Sequence, residues 1–275
     1  MIPSKNTYPK FIAIGWISMF FYLSAQGQIN EVKRPTDPCK QMKIMSVVQN
    51  NEALKSIAAH ILTLQDGIEW GVNHNLDALP GKDNTNLNYK QAKVKQGITD
   101  TWDADFYWNP KDGYTIGRTY LHPGEGAPSP DDVFILIDQL NRSLDLAKSP
   151  KHMIDYYKSN VSTTVITQHA TYVVMVRDWD ELEKAFLTYN KDRKAYLDLY
   201  RQAASTYSSE EVNPHASIGE ASSFALLMLL NKAIVLYIAP RVQSNVPLEF
   251  KFIEAGFDRG EPSVRSVSCW IRQRN

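Results

Sequence analysis

Tyr114–Asp132 reads YTIGRTYLHPGEGAPSPDD, and Val133–Lys148 continues it as VFILIDQLNRSLDLAK. Tyr114–Leu121 has the character of a strand, and because side chains alternate between faces, Tyr120 and His122 fall on the same side. Three prolines and two glycines in His122–Asp132 then turn the chain. Beyond them Leu136, Leu140 and Leu144 form one stripe, which predicts a helix over Val133–Lys148. Ser129-Pro130-Asp131-Asp132 has by itself the chemistry of a helix start, with serine at the N-cap, proline at N1 and carboxylates at the next two positions.

Reading towards the N-terminus, Asn109-Pro-Lys-Asp-Gly113 is a turn. It joins that strand to another over Thr101–Trp108, where Trp102, Ala104, Phe106 and Trp108 alternate with Asp103, Asp105 and Tyr107. Asn73–Lys95 is polar and reads as a long loop, and Asp66–Val72 as a short strand. Leu54, Ile57, Ala58, Ile61 and Leu62 predict an amphipathic helix over Val47–Gln65. Gln28–Gln41, with two prolines, reads as part of a polar leader over residues 28–46.

Towards the C-terminus, the β-branched runs Val161–Thr167 and Thr171–Arg177 form a hairpin. Trp179–Ser205 and Ile218–Lys232 are helical in pattern, Ala233–Ile238 is a buried strand, and Leu248–Glu254 pairs with Ser263–Trp270. Hairpins mixed with helices, without repeat or linker, predict one α+β domain over 47–275. It is built on a mixed or antiparallel sheet flanked by helices, with a C-terminal helix and hairpin as an extension.

Residues 1–27 read as a signal peptide: Lys5 and Lys10 precede the apolar Phe11–Leu23, and Ala25 and Gly27 supply small residues before cleavage. Thirteen apolar residues fall short of the roughly 20 that span a bilayer, so the cleaved protein is not expected to be integral to a membrane. The 248 residues left after removal carry 28 basic and 30 acidic side chains, too little positive charge for a nucleic-acid partner. In an oxidising compartment Cys39 and Cys269 either pair, tying the ends of the chain, or stay as two buried thiols.

Tyr120-Leu-His-Pro-Gly-Glu-Gly-Ala-Pro-Ser-Pro-Asp-Asp132 resembles the motif of JAMM (JAB/MPN-type) metalloproteases, His-x-His-Pro, a variable loop, then Ser-x-x-Asp. The resemblance covers roughly 54–186 and implies a JAB/MPN-like fold. It matches His122 to the second zinc histidine, Asp132 to the zinc aspartate and Ser129 to the serine that stabilises the oxyanion. Glu69, in Gly-Ile-Glu-Trp-Gly71, stands where the family's general base would be. The first zinc histidine is replaced by Tyr120, and a phenol with a pKa near 10 is a poor zinc ligand at neutral pH. His74, His152 and His169 are the histidines that a fold would have to bring close to replace it.

A degenerate member is therefore expected: a bacterial protein, exported to the periplasm or beyond the cell, serving as a non-catalytic binding or scaffold module. Its partner is a protein or peptide, and no metal is expected. The alternative is an active zinc-dependent peptidase or isopeptidase using His122, Asp132 and a substitute ligand. Other groups have plainer readings. Asp178, Asp180, Glu181 and Glu183 suit a helix start. Trp102, Phe106, Tyr107 and Trp108 read as strand core before ligand platform. Ser222 and Ser223 lack the surroundings of a nucleophile elbow.

Overall fold

Alternation through Gly113–Leu121 makes a strand that is buried on both faces, and the rest of the chain is arranged around it. In the computed structural model, residues 36–64, 67–79, 88–90, 93–97, 105–241 and 247–269 are described. The segment read as a signal peptide (residues 1–27) and positions 101–104 of the expected strand over Thr101–Trp108 lie outside them. In chain order the elements are α1 (Pro38–Gln49), α2 (Glu52–Ile61), β1 (Trp70–Leu76), β2 (Lys95–Gln96), β3 (Trp108–Asn109) and β4 (Gly113–Leu121). Then come α3 (Pro130–Arg142), α4 (Leu144–Ala147), α5 (Lys151–Asn160), β5 (Ser162–Ile166), β6 (Ala170–Val176), α6 (Trp179–Lys191) and α7 (Arg193–Tyr207). The chain continues through α8 (Ile218–Leu230), β7 (Ile234–Pro240), β8 (Lys251–Asp258) and β9 (Glu261–Val267).

Among the described residues the strands form one open sheet in the order β2-β1-β4-β5-β6-β7-β8-β9, with β3 beside β4. Pairing is antiparallel except between β4 and β5, whose connection runs through α3, α4 and α5. The protein is thus α+β, with a mixed, mostly antiparallel sheet flanked by helices. On one face, Tyr120, Val165, Val174 and Leu236 pack beneath Phe134, Leu136, Tyr157, Leu182 and Leu226 of the helices that follow β4. The other face is covered by α1, with Met45 on Val173, Met175 and Tyr237, and by α2, with Ile61 on Val72 and Leu121. Burial of each large apolar side chain contributes about 1.5–3 kcal/mol. Among the described residues no helix is long and apolar enough to cross a membrane.

Several boundaries differ from the sequence reading, each for a local reason. The leader over 28–46 gives way at Pro38, because Asp37 caps α1 by accepting from Cys39 N at 2.9 Å and proline suits the first turn. The helix expected over Val47–Gln65 is divided. Asn50 closes α1 and its carboxamide bonds both the N–H and the carbonyl of Leu248. The strand expected over Asp66–Val72 runs instead from Trp70 to Leu76. Among the described residues the strand expected over Thr101–Trp108 is confined to Trp108–Asn109 beside β4, and at Tyr107 the Thr115 hydroxyl oxygen Oγ1 accepts from the main-chain N at 3.0 Å.

Two more helices are split. Ser143 caps α4 by accepting from Leu146 N at 3.2 Å, and Asp192 caps α7 by accepting from Ala195 N at 2.9 Å. Helix α5 was not expected. The C-terminal elements are not an appendage: β7 pairs with β6, and α8 buries Leu226 and Leu230 in the main core. Cys39 and Cys269 are joined by a disulfide, Cα atoms 5.5 Å apart, which links the start of α1 to the residues just beyond β9.

Candidate functional site

β4 delivers Arg118, Tyr120 and His122 onto one face at every second position, as pleating requires. β1 lies antiparallel beside it with Gly71 opposite Tyr120, and Glu69 comes one residue before that strand begins. The register therefore sets Glu69 level with His122. On the other side of β4 the loop turns back and α3 starts directly above. Glu69, Arg118, Tyr120, His122, Ser129 and Asp132 thus line one cleft of about 1090 Å³, with Phe106 and the outer face of α3 completing its walls. The fold brings together the five residues that the motif singled out.

Their individual states differ. Glu69 is 5% exposed, a buried carboxyl rather than the partly exposed strand glutamate of the plainer reading. In the neutral His122 ring, Nδ1 lies 3.2 Å from the Gly126 carbonyl. A carbonyl only accepts, so Nδ1 holds the proton and Nε2 keeps its lone pair. Ser129 and Asp132 close the first turn of α3: Asp132 Oδ2 accepts from Ser129 N at 2.7 Å and from Ser129 Oγ at 2.8 Å. Loop position is fixed from below, where Ser222 Oγ accepts from Ala127 N at 2.7 Å and donates to the Ile218 carbonyl. Ser222 is thus a packing and hydrogen-bonding residue.

Tyr120 is 4% exposed. Burial, and then the negative charge of Asp132, hold its phenol well above the ordinary value, while Arg118 pulls in the opposite direction. At neutral pH it is an uncharged phenol. None of the three histidines considered as substitutes lines the cleft. His74 lies on the opposite face of the sheet, bonded through Nε2 to Thr119 Oγ1 at 2.7 Å. His169 pairs with Glu125 at 2.9 Å, and His152 is exposed on α5. A zinc site would thus have His122 and Asp132 as donors, a neutral phenol in the third position, and a guanidinium on the same strand face. This donor set does not fit a catalytic zinc.

Arg118 is the residue that sequence reasoning passed over. Its signal was available: a basic side chain two before Tyr120 and four before His122 must share their face. The acidic run Asp178, Asp180 and Glu181 behaves as the helix start it resembled, with Asp178 Oδ1 accepting from both following N–H groups. Phe106 stacks on Trp108 with ring centroids 6.2 Å apart, and Trp108 is core.

No protein-family model, curated protein or solved structure matches the chain. The likeness to JAMM proteins therefore rests on the sequence motif.

Proposed function

We propose that the chain is an exported, JAMM-like domain whose cleft binds a protein or peptide ligand of the cell envelope and has lost catalytic zinc. The observation that carries this reading is Tyr120, a buried neutral phenol in the place of the first zinc histidine. Arg118 adds a positive charge on the same strand face, which opposes a dication. Ser129 and Asp132 retain a structural duty as the cap of α3, which accounts for their presence without metal. Metal analysis of the purified protein tests the reading. Substoichiometric zinc is expected, and one zinc per chain that disappears in His122→Ala would refute it. N-terminal sequencing of the exported protein is expected to begin at Gln28.

A second reading has one observation in its favour, the convergence of Glu69, His122, Ser129 and Asp132 in a single cleft. A zinc-dependent peptidase would show chelator-sensitive hydrolysis that Glu69→Gln abolishes. Equal activity in that variant would remove it.

A further inference from the structure

The cleft holds a charge that the fold does not neutralise. Arg118 is 7% exposed, yet among the described residues no carboxylate oxygen lies within 4.0 Å of its guanidinium. Its hydrogen bonds go to neutral acceptors: Nε donates to Thr163 Oγ1 at 3.3 Å, and Nη2 to the Asp132 main-chain carbonyl at 3.3 Å. Thr163 Oγ1 donates to the same carbonyl at 3.0 Å. That carbonyl would keep a partner without the arginine. Two of the five N–H groups of a guanidinium are thus used, and the other three have no acceptor among the described residues.

Burying a cation in this state is costly, and arginines so placed are normally met by a carboxylate. The other arginines of the cleft are: Arg193 bonds Asp131 at 2.7 Å and Arg142 bonds Asp138 at 2.8 Å. Both of those pairs sit on the outer part of the cleft, where Asp145 adds a further exposed carboxylate. The carboxylates of Glu69 and Asp132 share the inner end with Arg118 without pairing with its guanidinium, and the rim is neutral to acidic. Such a setting suits a ligand that offers the free N–H groups of Arg118 one negative group and lays a neutral or basic body among the surrounding carboxylates. It disfavours a compact dianion such as phosphate, which would bring two charges past the acidic rim.

We infer that the cleft captures the C-terminal carboxylate of a peptide or protein chain, with Arg118 as its charge partner. The planar fork of arginine accepts a carboxylate through two parallel hydrogen bonds. The inference rests on the cleft being a binding site, as proposed above, and supplies the chemistry of the ligand.

Calorimetric titration of the purified protein with an equimolar pool of tripeptides with free C-termini tests it, beside the same pool C-terminally amidated and inorganic phosphate. Binding by the free acids only is expected. Arg118→Met should weaken it about tenfold or more, and Arg118→Lys should retain part of it. Without ligand, Arg118→Met should raise the melting temperature by about 3 °C, because an unpaired buried charge is gone.

Equal binding of the amides, preferential binding of phosphate, or no binding of any free acid would overturn the assignment. So would a lower melting temperature in Arg118→Met, which would make the arginine a structural post. Should that variant fail to fold, Arg118→Lys decides alone: unchanged affinity there would also overturn it. The zinc assay is independent. Stoichiometric zinc would remove the proposed loss of metal and leave the carboxylate result to be read by itself, whereas failure of carboxylate capture in a zinc-free protein removes this inference only.

Discussion

The two faces of β1, β4 and β5 both bury polar side chains but handle them in opposite ways. Beneath α1 and α2 the groups are neutral and matched to one another. His74 bonds Thr119 at 2.7 Å, and Gln49 Nε2 donates to Thr164 Oγ1 at 2.8 Å, flooring a cavity of about 600 Å³ roofed by Leu54, Ala58 and Leu62. Burial pushes the His74 ring down to about 4, so it is uncharged at neutral pH. Beneath α3, β4 presents Arg118 and Glu69 lies just before β1, and Arg118 has no carboxylate partner among the described residues. Neutral groups can be satisfied inside the fold, whereas a charge left over points outward to a ligand. The difference separates a self-satisfied polar layer from the one proposed to bind a ligand on a single sheet.

The largest test of this contrast removes the clamp on the structural face. The disulfide closes a loop with a sequence separation of 230 residues and holds the start of α1 against the sheet. In the chain-entropy account such a link is worth about 5 kcal/mol. Cys39→Ser with Cys269→Ser should lower unfolding stability by that order, read from denaturant midpoints with and without reductant. Equal stability would mean that Gln41 and Tyr237, which bond Val176 O and Pro38 O, hold α1 unaided.

The second test uses acid. The folded-state pKa of His74 lies below the value of 6.5 for an unfolded histidine, so between about pH 4 and 6.5 the unfolded chain binds more protons. Its contribution is complete above pH 6.5 and is lost as pH falls towards 4, by up to about 3 kcal/mol. His74→Gln should flatten that limb of the stability profile while leaving the pH 7 region comparatively unchanged. A wild-type profile with no steeper acid loss than the variant would show that the ring is not held neutral.

Ser222→Ala comes next, and it acts on the cleft face. It strips the acceptor from Ala127 N, a buried donor in the loop between β4 and α3. Stranding such a group costs about 2 kcal/mol, and hydrogen exchange at Ala127 should rise with it. Unchanged exchange would show that the loop keeps its place by packing alone.

How far these features were legible beforehand depended on whether the signal was local. β-branched runs found β5 and β6, the Asn109–Gly113 turn placed β4, and the Ser-Pro-Asp-Asp string found the start of α3, because each depends on neighbours within a turn or a strand. The breaks at Asn50, Ser143 and Asp192 were missed. A serine or aspartate in a helical pattern looks tolerable until its side chain is seen to cap the next segment, and Asn50 breaks α1 by reaching Leu248, distant in sequence. Placing Glu69 near His122 needed the β1–β4 register, which the motif order implied. The pairing state of Arg118 was beyond reach, since only the positions of the surrounding carboxylates reveal that, among the described residues, none forms an ion pair with it.

The smallest effect decides what Ser129 and Asp132 are for. As the cap of α3 they form one unit, in which Asp132 Oδ2 accepts from both the N–H and the hydroxyl of Ser129. Removing either half should cost about 1 kcal/mol of stability. Because the two halves share their bonds, Ser129→Ala together with Asp132→Ala should cost little more than one alone, rather than the sum. Capture of a free carboxylate should survive Ser129→Ala, since Arg118 supplies the charge and the serine only sets the helix above it. Loss of that binding with stability unchanged would reverse the assignment: the pair would then belong to the ligand rather than to the cap of α3.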